Sequence, residues 1–452
     1  MSEEDSTMTT TTEPVRRGVS PTALPTRLRD LVARRIPWRS LEAPFYTDPD
    51  VFALDIEAIF GRSWIFAAAE AEIPEPGDYV TITLGRYSLI VVRDDDEQVR
   101  AFHNVCRHRG ARLLMEDRGS VGNIVCAYHS WTYGVDGSLR FAESQSADFD
   151  ASCYGLRHVH VRTVAGLVFL CLAQETPEDF DEVAGIVEDY VGPHDLTHAK
   201  VAAQIDLVER CNWKLTMENN RECYHCAGHP ELNCSIFPVY GYTPENLPPR
   251  LQGDAERLRT ATAEAIRTYD ALGLPYAARE ELDTRTTGYR IEREALDGAG
   301  ESITVDGAAA VRRLLAGFPT AKLGRLGLHL QPNSWFHFMA DHAVAFTALP
   351  ISPDRTLVRS TWLVHADAVE GEDYDVESLT HVWKATNLQD AGFVERAQLG
   401  VSSPAYLPGP YSSTEYQVEA FVNWYIGRLA TLPAFSEQVD GLQPAVHGDL
   451  TW

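Results

Sequence analysis

Two short segments carry the residue types of a redox centre. The first reads Cys106-Arg-His108, the second Cys126-Ala-Tyr-His129, with seventeen residues between them. Each half offers one thiolate and one imidazole. Facing each other, they supply four ligands of two kinds. Cys106 and Cys126 can hold one iron of a [2Fe–2S] cluster, and His108 and His129 the other. Neutral imidazoles in place of thiolates raise the reduction potential above that of an all-cysteine cluster. Zinc is the competing reading, but zinc modules pair Cys with Cys and His with His, not Cys-His with Cys-His. Gly110 and Gly134 relieve crowding in the two loops, and Trp131 and Tyr133 are placed to cover the cluster.

A second constellation lies about a hundred residues on, in NWKLTMENNRECYHCAGHPEL. A helix expected around Met217–Cys226 and running on to Pro230 puts His225 and His229 at i and i+4, on one face. Glu222 shares that stripe. Two imidazoles and a remote carboxylate form the facial triad of non-haem Fe(II) sites, which leaves positions open for O2 and substrate. The carboxylate must come from elsewhere. Asp390 is the first candidate, and Glu395, five residues on in the same helical stretch, is the second. A zinc-protease reading fails, because Cys226 stands where its glutamate belongs. Alone, a His pair at this spacing is weak. After a cluster motif it becomes strong.

The elements that must position these residues can be outlined. Residues 1–45 read as a disordered tail followed by an irregular N-terminal arm with a short helix (LRDLVARRI). Residues 46–173 open on a helical segment and continue as a small antiparallel β domain, seen in alternating runs such as DYVTITLGRYSLIVV. Residues 174–452 are mixed. They hold a charged insertion at 249–316, with one helix, a hairpin near Arg290–Val305 and acidic residues read as a solvated face. Long strands return from about 325 to 365. Helices at Val376–Val401 and Tyr416–Leu432 follow. The order is that of an α+β protein.

Composition sets outer bounds. The 452 residues carry a net charge of −26, which disfavours nucleic acid and anionic lipid as partners. Eight cysteines are too few for a disulfide scaffold. No apolar run approaches the ~20 residues that span a bilayer. The first twenty residues lack the basic and apolar regions of a signal peptide, so a cytoplasmic location is expected.

With these residues in view, the sequence resembles the Rieske non-haem iron oxygenases, oxygenase (α) subunit, from about residue 45 to 435. The segments ENNRECYHCAGHPEL, DHAVAFTALPISP and WLVHADAVEGEDYD resemble the branch acting on quaternary ammonium compounds. The resemblance implies a Rieske [2Fe–2S] domain followed by a helix-grip (START-like) catalytic domain with a large antiparallel sheet. It implies that Cys106, His108, Cys126 and His129 bind the cluster, and that His225, His229 and Asp390 bind a mononuclear Fe(II). Glu222 matches the acid that bridges an iron histidine to a cluster histidine of a neighbouring subunit, in a head-to-tail homotrimer. Many relatives have four residues between the iron histidines, and here there are three. The implied partners are a flavin/ferredoxin-type NAD(P)H reductase, O2 and a small quaternary amine. The implied reaction is N-demethylation, foremost of glycine betaine to dimethylglycine and formaldehyde. Proline betaine, carnitine and aromatic-ring hydroxylation are the alternatives.

A trimethylammonium group donates no conventional hydrogen bond and is recognised by aromatic faces. Trp335, Phe237 and Tyr240 are the chosen candidates among a dense set that includes Tyr242, Phe336 and Phe338. His329, His337, His342 and His365 read as satisfied sheet residues. No residue is assigned to a substrate carboxylate. An electron-transfer protein or a zinc-stabilised binding protein remain the rival classes.

Overall fold

The computed structural model describes residues 23–239, 242–243 and 245–432. The tail expected at residues 1–20 and the substrate candidate Tyr240 lie outside them. The described arm begins with α1 (Ala23–Ala33), then α2 (Pro44–Thr47) and α3 (Pro49–Ala58). Asp48 caps α3 by accepting from the Asp50 amide, and Pro49 starts the helix.

Ten strands follow: β1 (Ile65–Ala69), β2 (Asp78–Leu84), β3 (Tyr87–Arg93), β4 (Val99–His103), β5 (Arg118–Ser120), β6 (Ile124–Val125), β7 (Thr132–Tyr133), β8 (Leu139–Phe141), β9 (His160–Val164) and β10 (Leu167–Cys171). They form three antiparallel sheets, ordered β1-β10-β9, β4-β3-β2-β5 and β6-β7-β8. The Cys106 segment leaves the end of β4, and the Cys126 segment joins β6 to β7.

The second part contains α4 (Phe180–Val191), β11 (Ala199–Glu209), α5 (Trp213–Asn220), α6 (Gln252–Leu272), β12 (Arg279–Glu281), β13 (Tyr289–Glu294), β14 (Arg325–Leu330), β15 (Ser334–Phe338), β16 (Ala343–Ser352), β17 (Arg355–His365), α7 (Val376–Val401) and α8 (Tyr416–Ala430). Its seven strands make one antiparallel sheet in the order β11-β17-β16-β15-β14-β13-β12. The sheet is covered on both faces, and the period-2 alternation shows it. Val344, Phe346, Val358 and Trp362 pack with Leu379 and Val382 of α7 and with Phe421 of α8. The intervening Ala343, Ala345 and Leu363 pack with Phe180 and Val183 of α4 and with Phe66 and Phe169 of the N-terminal sheets. The α+β order and the large antiparallel sheet beside a long helix are thus as expected. Among the described residues no helix is long and apolar enough to cross a membrane.

A buried ion pair ties three helices together. Lys214 of α5 pairs with Asp55 of α3, and both side chains are fully buried. Asp55 also accepts from Trp213 Nε1 at 3.0 Å and from Tyr425 Oη of α8 at 2.7 Å.

Two expectations need correction. The hairpin placed near Arg290–Val305 is instead β12–β13, and β13 pairs along its length with β14, so the "insertion" supplies two strands of the main sheet. The helix expected over Met217–Cys226 stops at Asn220. Glu222 Oε2 accepts from the backbone N–H groups of Tyr224 and His225, which stabilises a turn in place of the helical ladder. A single 3-10 turn, Cys226–Gly228, then separates His225 from His229.

Candidate active site

The two Cys-His segments are near copies of one loop. Cys106 donates its backbone N–H to Ala111 O at 2.8 Å and accepts from Gly110 at 3.0 Å. Cys126 donates to Trp131 O at 2.9 Å and accepts from Ser130 at 2.9 Å. Each loop turns through a positive φ four residues past its cysteine, 76° at Gly110 and 56° at Ser130. Gly110 answers the sequence expectation; the second loop uses Ser130 and not Gly134 for this purpose. The repeated geometry brings the four side chains together. Both cysteines are buried, and the rings of His108 and His129 are exposed with centroids 4.6 Å apart. Burial pushes the Cys126 thiol up, while the amides of Tyr128 and His129 aim at its sulfur and favour the thiolate. Trp131 stacks on His108 at 4.9 Å, and Tyr133 Oη lies 3.4 Å from Cys106 Sγ. Two shielded sulfurs and two surface imidazoles suit a [2Fe–2S] cluster whose histidine-bound iron faces outward.

The second site converges on Asp390, from the middle of α7. Its Oδ1 lies 3.2 Å from His225 Nε2 and 3.1 Å from His229 Nε2. The opposite nitrogens are engaged. His225 Nδ1 lies 2.5 Å from Glu222 Oε1, and His229 Nδ1 lies 2.8 Å from Gln389 Oε1. Both Nε2 lone pairs are thereby turned toward the carboxylate, the arrangement by which outer hydrogen bonds orient metal-binding histidines. His229 Nε2 is buried and, despite its closeness to Asp390, has no aligned hydrogen bond. Burial would raise the Asp390 pKa, but the facing imidazoles of His225 and His229 prevail and take it down to about 2. An orphaned imidazole nitrogen beside a firmly ionised carboxylate fits a divalent metal. Cys226 Sγ lies within 4.8 Å of both histidines' nitrogens, but it is disulfide-bonded to Cys223 and is no thiolate ligand. That disulfide was not foreseen. Glu395, the second carboxylate candidate, instead accepts from the Arg210 amide at 3.1 Å and does not join the site.

A cavity of about 340 Å³ opens beside these side chains and is lined by His225, His229 and Asp390. Sheet register builds its far wall. Arg290, Glu292 and Glu294 alternate along β13, and Arg325, Gly327 and His329 along β14; Glu294 stands directly opposite Arg325, and Arg290 opposite His329. Two arginines here are neutralised: Arg290 pairs with Glu280 and Glu292, and Arg325 with Glu294. His329 and His337 line the same cavity with buried Nδ1 atoms that lack partners among the described residues, and His337 stacks on Trp383 at 4.5 Å.

Comparison with known proteins matches both halves. Residues 63–160 match the Rieske [2Fe-2S] domain, and residues 196–431 match the ring hydroxylating alpha subunit (catalytic domain). The chain is 41% identical over 421 residues to a glycine betaine monooxygenase oxygenase subunit of Chromohalobacter salexigens, covering 92% of this chain and 91% of that one. This chain belongs to the Rieske non-haem iron oxygenase α subunits. A Rieske [2Fe–2S] cluster and a mononuclear iron are its cofactors. A second relative of this oxygenase, the Pseudomonas aeruginosa glycine betaine monooxygenase oxygenase subunit, is 42% identical over 86% of this chain and 89% of its own. The carnitine monooxygenase oxygenase subunit of Escherichia coli is 35% identical, over 44% of this chain and 54% of its own. Among solved structures, a quaternary ammonium Rieske monooxygenase shares the fold with a TM-score of 0.64 at 21% identity, over 88% of this chain and 98% of that one.

The oxygenase cavity departs from the aromatic cage expected of Trp335 and Phe237. Trp335 stacks on Phe346 within the core, Phe237 packs with Val239 and Leu251 in a satellite cluster, and neither lines the cavity. The cavity's aromatic residues among those described are Tyr242, Trp383 and Tyr416, with His329 and His337. The reading of the insertion's acids as a solvated face fails for Glu292 and Glu294, and the reading of His329 and His337 as satisfied sheet residues fails as well. Asn219 and Gln389 were missed too. Asn219 donates to Asp390 Oδ1 at 3.0 Å.

Proposed function

We propose that this subunit N-demethylates glycine betaine, with electrons from a flavin/ferredoxin-type NAD(P)H reductase, in the cytoplasm where reduced nicotinamide is supplied. The observation that carries the reading is the nearly full-length identity to two oxygenase subunits named for glycine betaine, against a carnitine-named match over less than half the chain. The cavity supports it against ring hydroxylation. A wall of paired charges and orphaned imidazoles is a poor host for an aromatic hydrocarbon, which would leave those groups desolvated without compensation.

In this reading His225, His229 and Asp390 hold the iron, and Cys106, His108, Cys126 and His129 hold the cluster. When bound, the cluster passes single electrons and the iron activates O2. The protein's own part is orientation. Glu231 accepts from Gln389 Nε2 at 2.8 Å, so Gln389 must present its oxygen to His229 Nδ1–H. Asn219 holds the Asp390 carboxylate. The substrate stands with one N-methyl toward the three ligands. The reaction balances as (CH3)3N⁺CH2COO⁻ + O2 + NAD(P)H + H⁺ → dimethylglycine + formaldehyde + NAD(P)⁺ + H2O, because the hydroxylated methyl loses its O–H proton and the C–N bond breaks.

Glu222 is assigned the bridge between subunits. One oxygen accepts a hydrogen bond from His225 Nδ1–H, and a partner's exposed cluster histidine would meet the other side, in a head-to-tail homotrimer. Incubation of the loaded subunit with reductase and glycine betaine, proline betaine or carnitine tests the proposal: formaldehyde is expected first from glycine betaine, and none from any of the three would refute demethylation.

A further inference from the structure

The third arginine of the cavity, Arg221, differs from the other two. It is 1% exposed, and among the described residues it has no carboxylate partner. Among the described residues its guanidinium donates to two neutral amide oxygens, Asn220 Oδ1 at 2.6 Å and Gln331 Oε1 at 3.1 Å, and its Nε has no partner. A buried charge without a counter-charge is costly, and proteins keep one where a ligand completes the pair. Burial alone takes its pKa down to about 9. Arg221 and the iron ligands line one cavity, and only three residues of chain, Glu222 to Tyr224, lie between Arg221 and His225.

From this geometry we infer that Arg221 is the anion anchor of the site and binds the carboxylate of a zwitterionic quaternary amine. The inference rests on the quaternary-amine reading above and supplies what that reading lacks. Arg290 and Arg325 are already matched to glutamates, so they set the cavity's shape without adding free positive charge. A carboxylate on Arg221 turns the opposite, methylated end of a short zwitterion away from the guanidinium and leaves it for the histidine side of the cavity. His329, also on the cavity and neutral because burial holds its pKa well down, can donate an N–H hydrogen bond to the same carboxylate without repelling a cation.

The alternative is a strut, in which Arg221 only ties the end of α5 to the β14–β15 turn through Gln331. Calorimetric titration of the metal-loaded subunit separates the two. The probes are glycine betaine, 3,3-dimethylbutyrate (the same shape and carboxylate, with carbon for nitrogen) and choline (the ammonium kept, the carboxylate replaced by an alcohol). Arg221→Gln is expected to weaken both carboxylates by about 30-fold, and choline by less than about threefold. Arg221→Lys keeps the charge but not the fork, and should weaken both carboxylates by about three- to tenfold with choline unchanged. If Arg221→Gln loses the cluster spectrum, the Lys variant decides by the same comparison. Carboxylate binding unaffected by the substitution, choline lost in equal measure, or no 3,3-dimethylbutyrate binding by the wild type would each overturn the anchor. Failure to release formaldehyde from glycine betaine, with Arg221-dependent 3,3-dimethylbutyrate binding intact, would sink the substrate assignment and leave the anion site standing.

Discussion

Gln389 Oε1 lies 2.8 Å from His229 Nδ1, and this contact decides which nitrogen of the imidazole faces Asp390. The next residue in the chain is the carboxylate itself. One turn of α7 therefore supplies both the proposed carboxylate ligand and the group that orients a proposed histidine ligand. Gln389→Leu should lower iron affinity by about 10- to 100-fold, the usual cost of losing such a partner. Iron retained against a chelator measures this, with the visible spectrum of the cluster as the internal control. Unchanged retention would show that the packing around His229 is sufficient.

His225→Ala removes one of the three proposed iron ligands and leaves the Cys106 and Cys126 loops untouched. The cluster spectrum should persist while substrate turnover disappears. Turnover that survives would reject the iron site.

Glu222→Gln keeps the shape of the side chain and discards its charge. Both metals should stay bound, while oxidation of the cluster by the mononuclear site slows in a single turnover. An unaltered rate would remove Glu222 from the electron path.

The Asp55–Lys214 pair is a separate matter of stability, with both side chains wholly buried. Asp55→Ala strands an ammonium among Trp213 and Tyr425 and should cost about 3–5 kcal/mol, read by denaturant unfolding. Asp55→Leu combined with Lys214→Met should recover most of that loss, since no charge is then left unpaired.

Glu209 sits at the end of β11, 3% exposed, and burial raises its pKa to about 7 even though Thr216 donates to it at 2.6 Å. Below about pH 4 both folded and unfolded states hold this proton. Between there and pH 7 the folded state keeps a proton that the unfolded chain releases, so stability falls as pH rises. The loss amounts to about 3 kcal/mol and is complete above the folded pKa. Glu209→Gln should flatten this part of the stability profile. An identical slope in the variant would mean that another group titrates.

How much of this was legible beforehand depends on distance along the chain. The cluster motif is local: each loop holds its own cysteine, histidine and turn, so types and spacing suffice. His225 and His229 were legible as a pair but not in their conformation, because the helix ends when the Glu222 side chain captures two backbone amides. Asp390 and Glu395 are equally plausible by spacing, and only the packing of α7 turns one of them toward the histidines. The cavity wall was hardest. YRIERE reads as a charged, solvent-facing hairpin until β14 pairs with it, whereupon Arg290, Glu292 and Glu294 share one face and meet His329, Gly327 and Arg325 across the strands. A strand with alternating charges inside a sheet covered on both faces is the signal that would have found them. Aromatic counting pointed elsewhere, to Trp335 and Phe237, because it ignored which rings pack against other rings.

The most direct test of the account is product stoichiometry with methyl-labelled glycine betaine, the loaded subunit and a competent reductase, followed by NMR and oxygen uptake. One dimethylglycine and one formaldehyde are expected for each O2 consumed. Oxygen consumption with the label still in glycine betaine, or hydroxylation without loss of a methyl group, would contradict it.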